Sequence, residues 1–206
     1  MIWGDIAKVA GNLDDEASPR LSEISMIKSS RVPFRLLLLA FCFGCHEPSA
    51  LTSNASSQSE EDARRASEVQ AMAIDYESKL PPVPQISASD LLERPIDGLL
   101  LVDCRSQEER AVSTLPGAIA HQRLEERPED YRESEIVVYC TIGYRSSKLV
   151  GELRAKGFTA SNLRGGVLAW AHAGGEFIDA GGSTTAEVHV YDAPWDLLPS
   201  DYQSQY

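Results

Sequence analysis

The stretch Ile136-Val137-Val138-Tyr139-Cys140-Thr141-Ile142-Gly143-Tyr144-Arg145-Ser146-Ser147 decides how the rest of the chain is read. Ile136 to Tyr139 is an unbroken β-branched and aromatic run, the composition of a strand covered on both faces. Beyond Ser146, Leu149, Val150 and Leu153 recur at helical spacing, and Gly157 supplies a C-terminal stop. The order predicts a strand, a short loop and a helix. Cys140 then stands at the carboxyl end of the strand, facing the helix N-terminus, where α/β sheets gather their ligands.

That placement favours thiolate chemistry. The thiolate is the nucleophilic form of cysteine, and a free thiol is mostly protonated at neutral pH. Backbone N–H groups curled around the sulfur, with the positive end of the helix dipole, favour the charged form. Arg145, five positions on, adds a full positive charge, and Gly143 lets the loop turn tightly. A cradle of this kind binds an anion and lowers a thiol pKa with the same groups. Cys140 is therefore the expected nucleophile, with Thr141, Ile142, Gly143, Tyr144 and Arg145 as its loop.

The segment Cys140-Thr141-Ile142-Gly143-Tyr144-Arg145-Ser146 resembles the active-site loop of a single-domain rhodanese. Upstream, Leu101-Val102-Asp103-Cys104-Arg105, with Glu109 four residues after the arginine, is similar to that family's Asp-x-Arg-x-x-x-Glu segment. Leu115-Pro116-Gly117-Ala118 resembles its Ile-Pro-Gly-Ala turn, although Thr114 stands where the family often has His. Leu163-Arg164-Gly165-Gly166 through Trp170 resembles its closing Gly-Gly…Trp segment. The resemblance covers about residues 83–178.

It implies an α/β fold with a mostly parallel central sheet and helices on both faces, and a sulfurtransferase. The Cys140 thiolate would take a sulfane sulfur from thiosulfate or a persulfide. The amides of Ile142 to Arg145 would hold the resulting persulfide until a thiophilic acceptor removes it. Two half-reactions on one cysteine predict ping-pong kinetics. No cofactor or metal is implied; the expected partner is a small sulfur-containing substrate or a protein thiol. A non-catalytic persulfide carrier, or a redox or sulfide sensor, would carry the same motifs.

Several roles stay open at this point. Arg145 orients the donor's oxygens or clamps the loop by pairing with Asp103 or Glu109. Arg105 faces the cleft or pairs structurally. Asp103 and Glu109 are supporting residues, since a loop-stabilised thiolate needs no general base. Cys104 is a small core residue, where the family usually has Val, or a resolving thiol for Cys140. A cysteine phosphatase is the enzymatic rival. Its loop is one residue longer than the four residues separating Cys140 from Arg145, and Tyr139 rather than His precedes this cysteine. With Arg145 the single cation of the loop, a lipophilic thiol or protein persulfide is expected to be a better donor than thiosulfate.

The 206 residues have room for one ordinary domain with extensions, and 43% hydrophobic content is enough for a core. The net charge of −12 and the lack of a basic stripe argue against nucleic acid. Four cysteines are present: Cys42, Cys45, Cys104 and Cys140. Cys42 and Cys45 form a Cys-x-x-Cys with no second ligand pair at zinc-finger spacing.

Residues 1–25 are polar and acidic without apolar periodicity and are expected to be a non-native extension. Met26 then opens a signal-like segment, 26–45: basic Lys28, Arg31 and Arg35, an apolar run from Leu36 to Phe43, and Gly44-Cys45. The pattern predicts export with translation from Met26 and membrane attachment through a lipidated Cys45, on the periplasmic side; the alternative is a cytoplasmic protein. Residues 46–80 read as a polar linker, with a flexible tether from Pro48 to Ser59 and a helix over 60–79. Ala66, Val69, Ala73, Tyr76 and Leu80 form its apolar stripe. The domain is placed at 81–179, with strands at Val83 to Ile86, Leu99 to Asp103, Ala118 to Ala120 and Thr159 to Leu163, and a closing helix from Val167 to Ala173. A tail, 180–206, holds a strand-like Glu187 to Tyr191 and is expected to be a sheet-edge or surface clasp.

Overall fold

The computed structural model describes residues 51–95 and 98–206. The extension 1–25, the signal-like segment 26–45 with Cys42 and Cys45, residues 46–50, and Asp97 lie outside the described residues. The chain enters on α1 (Leu51–Ser78), which ends before Pro81-Pro82. The tether expected to run to Ser59 is therefore helical from Leu51 onward. Helix growth is cheap once a nucleus exists, and the buried Val69 and Ala73 hold the downstream half in place. Val69 and Ala73 lie on the expected stripe, with Ala66 and Tyr76 half-buried beside them.

The main elements follow in chain order: β1 (Gln85–Ile86), α2 (Ala88–Leu92), β2 (Leu99–Asp103), α3 (Gln107–Val112), β3 (Ile119–Ala120), α4 (His121–Glu126), β4 (Glu135–Tyr139), α5 (Tyr144–Ala155), β5 (Thr159–Leu163) and α6 (Gly166–His172). The five strands form one sheet in the order β1-β5-β4-β2-β3, parallel throughout. The edge strand is shorter than Val83 to Ile86, because Pro84 has no N–H to give; its carbonyl still accepts from Asn162 N–H at 2.8 Å.

Strand β4 lies at the centre of the sheet, and its four residues Ile136 to Tyr139 are fully buried. Ile136 and Val138 face one core cluster with Leu149, Val150, Leu153 and Phe158. Val137 and Tyr139 face the opposite cluster with Val69, Leu163 and Leu168. A strand packed on both sides has no polar face, which is why its sequence is continuous rather than alternating.

After α6 come β6 (Phe177–Ile178), antiparallel to β7 (Thr184–Thr185), then β8 (Glu187–His189), parallel to β9 (Gln203–Gln205). The expectation of a sheet-edge or surface clasp is corrected here. The tail builds its own small sheet, and Val188, Val190 and Leu198 are buried in the core beside Val69 and Leu168. Polar contacts tie it to α1: Arg65 Nη1 donates to the Leu198 carbonyl at 2.8 Å, and Asp62 accepts from the Ser200 N–H and hydroxyl at 2.9 and 2.8 Å. Among the described residues, no helix is long and apolar enough to cross a membrane.

Candidate active site

Cys140 follows β4 directly, and its side chain lies at the base of the loop that starts α5. The loop closes on the sulfur. Gly143, with φ +101°, donates its N–H to Cys140 Sγ at 3.2 Å, and the Ser146 hydroxyl lies 3.5 Å from the same atom. A residue with a Cβ would be strained at that φ. Burial alone would raise the Cys140 thiol. Hydrogen bonds from the Cys104 thiol, the Ser146 hydroxyl and the Ser146 N–H, and then the Arg145 charge, outweigh it and hold the thiol well below its ordinary value.

Behind the loop, the two glycines before Val167 brace its backbone. Val167 and Leu168 donate to the carbonyls of Cys140 and Thr141 at 2.9 and 3.3 Å. Gly166 sits so close that a Cβ there would lie 2.1 Å from the Cys140 carbonyl oxygen. The closing Gly-Gly motif is thus a support for the Cys140 backbone, reached through β5 and α6.

The choice between Asp103 and Glu109 is resolved by geometry. Arg145 makes a bidentate pair with Glu109, at 2.7 and 2.6 Å, and Thr141 Oγ1 also donates to Glu109, at 3.1 Å. Glu109 is positioned by a reciprocal cap at the start of α3: its carboxylate accepts the Ser106 N–H and its own N–H bonds the Ser106 hydroxyl. Burial pushes the Glu109 carboxyl up, but Arg145 and the Ser106 N–H overcome it and hold the group at about 2. Burial opposes the Arg145 charge too, and Glu109 more than restores it.

Asp103 instead pairs with Arg105. Both side chains are fully buried, with Arg105 Nη2 2.7 Å from Asp103 Oδ2 and 2.6 Å from the Ser113 carbonyl. Arg105 therefore does not face the cleft. Thr114, at the position often occupied by His in the resembled family, bonds the Tyr139 hydroxyl at 2.7 Å and Asp103 at 3.3 Å. This network ties β2, β4 and the Leu115 turn together and stays away from the reacting sulfur.

Cys104 follows β2 and lies beside Cys140 because Asp103 is in register with Tyr139. Its thiol donates to the Tyr139 carbonyl at 3.2 Å and is within hydrogen-bonding reach of Cys140. The neighbouring Cys140 sulfur, and then burial, push the Cys104 pKa up while that of Cys140 is held down, so negative charge is favoured on Cys140 over Cys104.

In front of the sulfur lies a cavity of about 430 Å³, lined by Tyr76, Cys140, Thr141, Ile142, Tyr144, Arg145, Tyr191 and Trp195. Tyr76 comes from α1, and Tyr191 and Trp195 from the tail. Tyr76 stacks on Trp195 at 5.6 Å and packs against Tyr144 at 5.3 Å. Tyr191 lies edge-on to Trp195 and over the Arg145 guanidinium, 5.4 Å from its ring centre. Tyr191 has φ +79°, the one positive value at a described non-glycine residue, a left-handed backbone that costs about 1–2 kcal/mol.

The structure places Thr141, Ile142, Gly143, Tyr144 and Arg145 around Cys140, with Ser146 beside them. Ile142 is buried in the core, while Tyr144 is half-buried on the cavity wall. Cys45 lies outside the described residues. Sequence reasoning placed no site role on Tyr76, Tyr191 or Trp195, since no local pattern links them to Cys140. Among the described residues, no group of three or more His, Cys, Asp or Glu side chains is placed to hold a metal.

The site is thus a cysteine cradled by a loop at the end of the central strand of a parallel α/β sheet. Known proteins resemble this chain over the same region. The model of the rhodanese-like domain matches residues 87–173. A tRNA sulfurtransferase of Desulfurococcus amylolyticus is 44% identical over 68 residues, 33% of this chain but only 14% of that protein. A sulfurtransferase of Allochromatium vinosum is 35% identical over 101 residues, 45% of this chain and 92% of that protein. The crystal structure of a rhodanese-related protein from Thermoplasma volcanium aligns with a TM-score of 0.42 at 25% identity, covering 47% of this chain and 98% of that one. The chain belongs to the rhodanese-like family of sulfurtransferases.

Proposed function

We propose that this protein transfers a sulfane sulfur from a donor, thiosulfate or a persulfide, to a thiophilic acceptor through a persulfide on Cys140. The observation that carries the reading is the sulfur's own environment: an acidified thiol at the floor of an open cavity, with an N–H and a hydroxyl already aimed at it. A transferred sulfur bears the negative charge one bond further out, where the remaining loop N–H groups and the helix N-terminus favour it. Glu109 locks Arg145 and Thr141 in place. Intact-mass analysis after exposure to thiosulfate or inorganic polysulfide tests this. One sulfur should be gained on Cys140, discharged to cyanide as thiocyanate, and absent in Cys140→Ser; no gain from any sulfane donor would refute it.

The export reading belongs to the same proposal. Residues 26–45 would direct the chain across a membrane and Cys45 would carry a lipid, holding the domain 81–179 at the periplasmic surface. Mass spectrometry of the native N-terminus is expected to find a lipidated Cys45. An intact Met1 would overturn it.

A further inference from the structure

We infer that Tyr76, Tyr144, Tyr191 and Trp195 form a receptor for the organic body of a low-molecular-weight thiol, so that the preferred donor is an aryl- or alkyl-bearing persulfide rather than thiosulfate. The inference rests on the sulfurtransferase reading and adds the substrate class.

Charge is the first argument. Arg145 is the sole cation among the residues lining the cavity, and its guanidinium is doubly bonded to Glu109 and covered by the Tyr191 ring. A small dianion entering here meets a lining cation already paired with Glu109, while the Lys79 and Lys148 ammonium groups, 5.2 and 4.3 Å from the Tyr76 and Tyr144 ring centres, are engaged with those rings. Size is the second. The cavity, about 430 Å³, falls in the range of sites that enclose an organic ligand, well beyond the needs of a transferred sulfur alone.

The third argument is the origin and posture of the rings. Tyr76, Tyr191 and Trp195 lie outside the family-matched span 87–173, on α1 and the tail. Tyr191 is 58% exposed despite its size and is held at φ +79° with its N–H bonded to His189 Nδ1 at 3.0 Å. A strained backbone that presents a large ring to solvent beside a nucleophile marks a binding surface rather than a core contact. Cys140 itself is 1% exposed and lies at the cavity floor, which suits a small molecule better than a cysteine on a protein surface.

The transfer balances without an oxidant. The Cys140 thiolate attacks the outer sulfur of R–S–SH, a new S–S bond forms on Cys140, and the bond from that sulfur to R–S breaks. The electron pair leaves on R–S⁻, which takes the proton of the more acidic persulfide as Cys140–S–S⁻ forms. The R group stays on the aromatic wall during the exchange.

The test compares kcat/KM for benzyl persulfide, a persulfidated carrier protein and thiosulfate in the full chain, and in Tyr191→Ala, Trp195→Ala and Trp195→Phe. Benzyl persulfide is expected to exceed both other donors at least tenfold. The benzyl-to-thiosulfate ratio should fall about tenfold in each alanine variant, chiefly through KM, and be restored in Trp195→Phe. Separately, benzyl thiol should saturably quench tryptophan fluorescence in Cys140→Ser, and this saturable component should vanish when Trp195→Phe is added, a readout that needs no turnover. Thiosulfate or the persulfidated protein matching benzyl persulfide, or a ratio unmoved by the alanine variants, would overturn the inference while leaving Cys140 transfer intact. A Cys140 that accepts sulfur from no donor would overturn both.

Discussion

Cys140 has to be charged and buried at once, and the two demands oppose each other. A solvent-free thiolate is unfavourable unless donors replace the lost water. Gly143 N–H, Ser146 and the Cys104 thiol are those donors. The Cys104 thiol bonds the Tyr139 carbonyl at 3.2 Å, next to Cys140, and its neighbourhood favours charge on Cys140 rather than on Cys104. Alkylation of Cys140 by iodoacetamide, followed on its own peptide, should therefore hold its rate at pH values well below the ordinary thiol range before it falls. Cys104→Val should raise the midpoint by about one to two pH units, the worth of one hydrogen bond to a charged group; an unmoved midpoint would make Cys104 a space-filler. The lowered pKa also stabilises the fold above the ordinary thiol value, and that contribution fades as pH falls toward the folded-state value.

At the scale of elements, the site is a junction of three strand ends. Strand β4 delivers Cys140, β2 leads into the α3 cap that holds Glu109, and β5 leads into the glycines that brace the loop from behind. The tightest of these contacts is Gly166 against the Cys140 carbonyl. Gly166→Ala is expected to cost about 2–5 kcal/mol, combining a left-handed backbone with a collision that the strand end must absorb. Displacing the nucleophile by an ångström should also lower transfer about a hundredfold. Urea unfolding and persulfide turnover measure the two effects; a variant with normal stability and normal turnover would show that the loop needs no brace. Strand β4, the loop and the Gly-Gly turn were readable from sequence because each is a local pattern of side-chain type and spacing. The partner of Arg145 was not. Asp103 and Glu109 are six residues apart, and only the direction of the α3 cap turns one toward the loop while Arg105 claims the other.

For the whole molecule, the decisive feature is that the tail completes the core. Val188, Val190 and Leu198 are fully buried, and each contributes about 1.5–3 kcal/mol by leaving water. Their sum, roughly 5–9 kcal/mol, rivals the whole net stability of an ordinary domain. A chain ending at residue 186 is thus expected to lose its cooperative urea transition; an unchanged midpoint would return the tail to the status of a surface strap. The same truncation removes Tyr191 and Trp195, so the segment that closes the fold also shapes the entrance to the sulfur. Sequence alone determined the parallel α/β sheet and the placing of Cys140 and its loop at the end of the central strand, because period, turn chemistry and motif order act over a few neighbouring residues. Only the tertiary structure decided that Glu109 holds Arg145, that Cys104 lies beside Cys140, and that α1 and the tail set an aromatic wall before the site. Those contacts join residues 36 to more than a hundred positions apart, and their formation depends on which faces the folded sheet leaves to be covered.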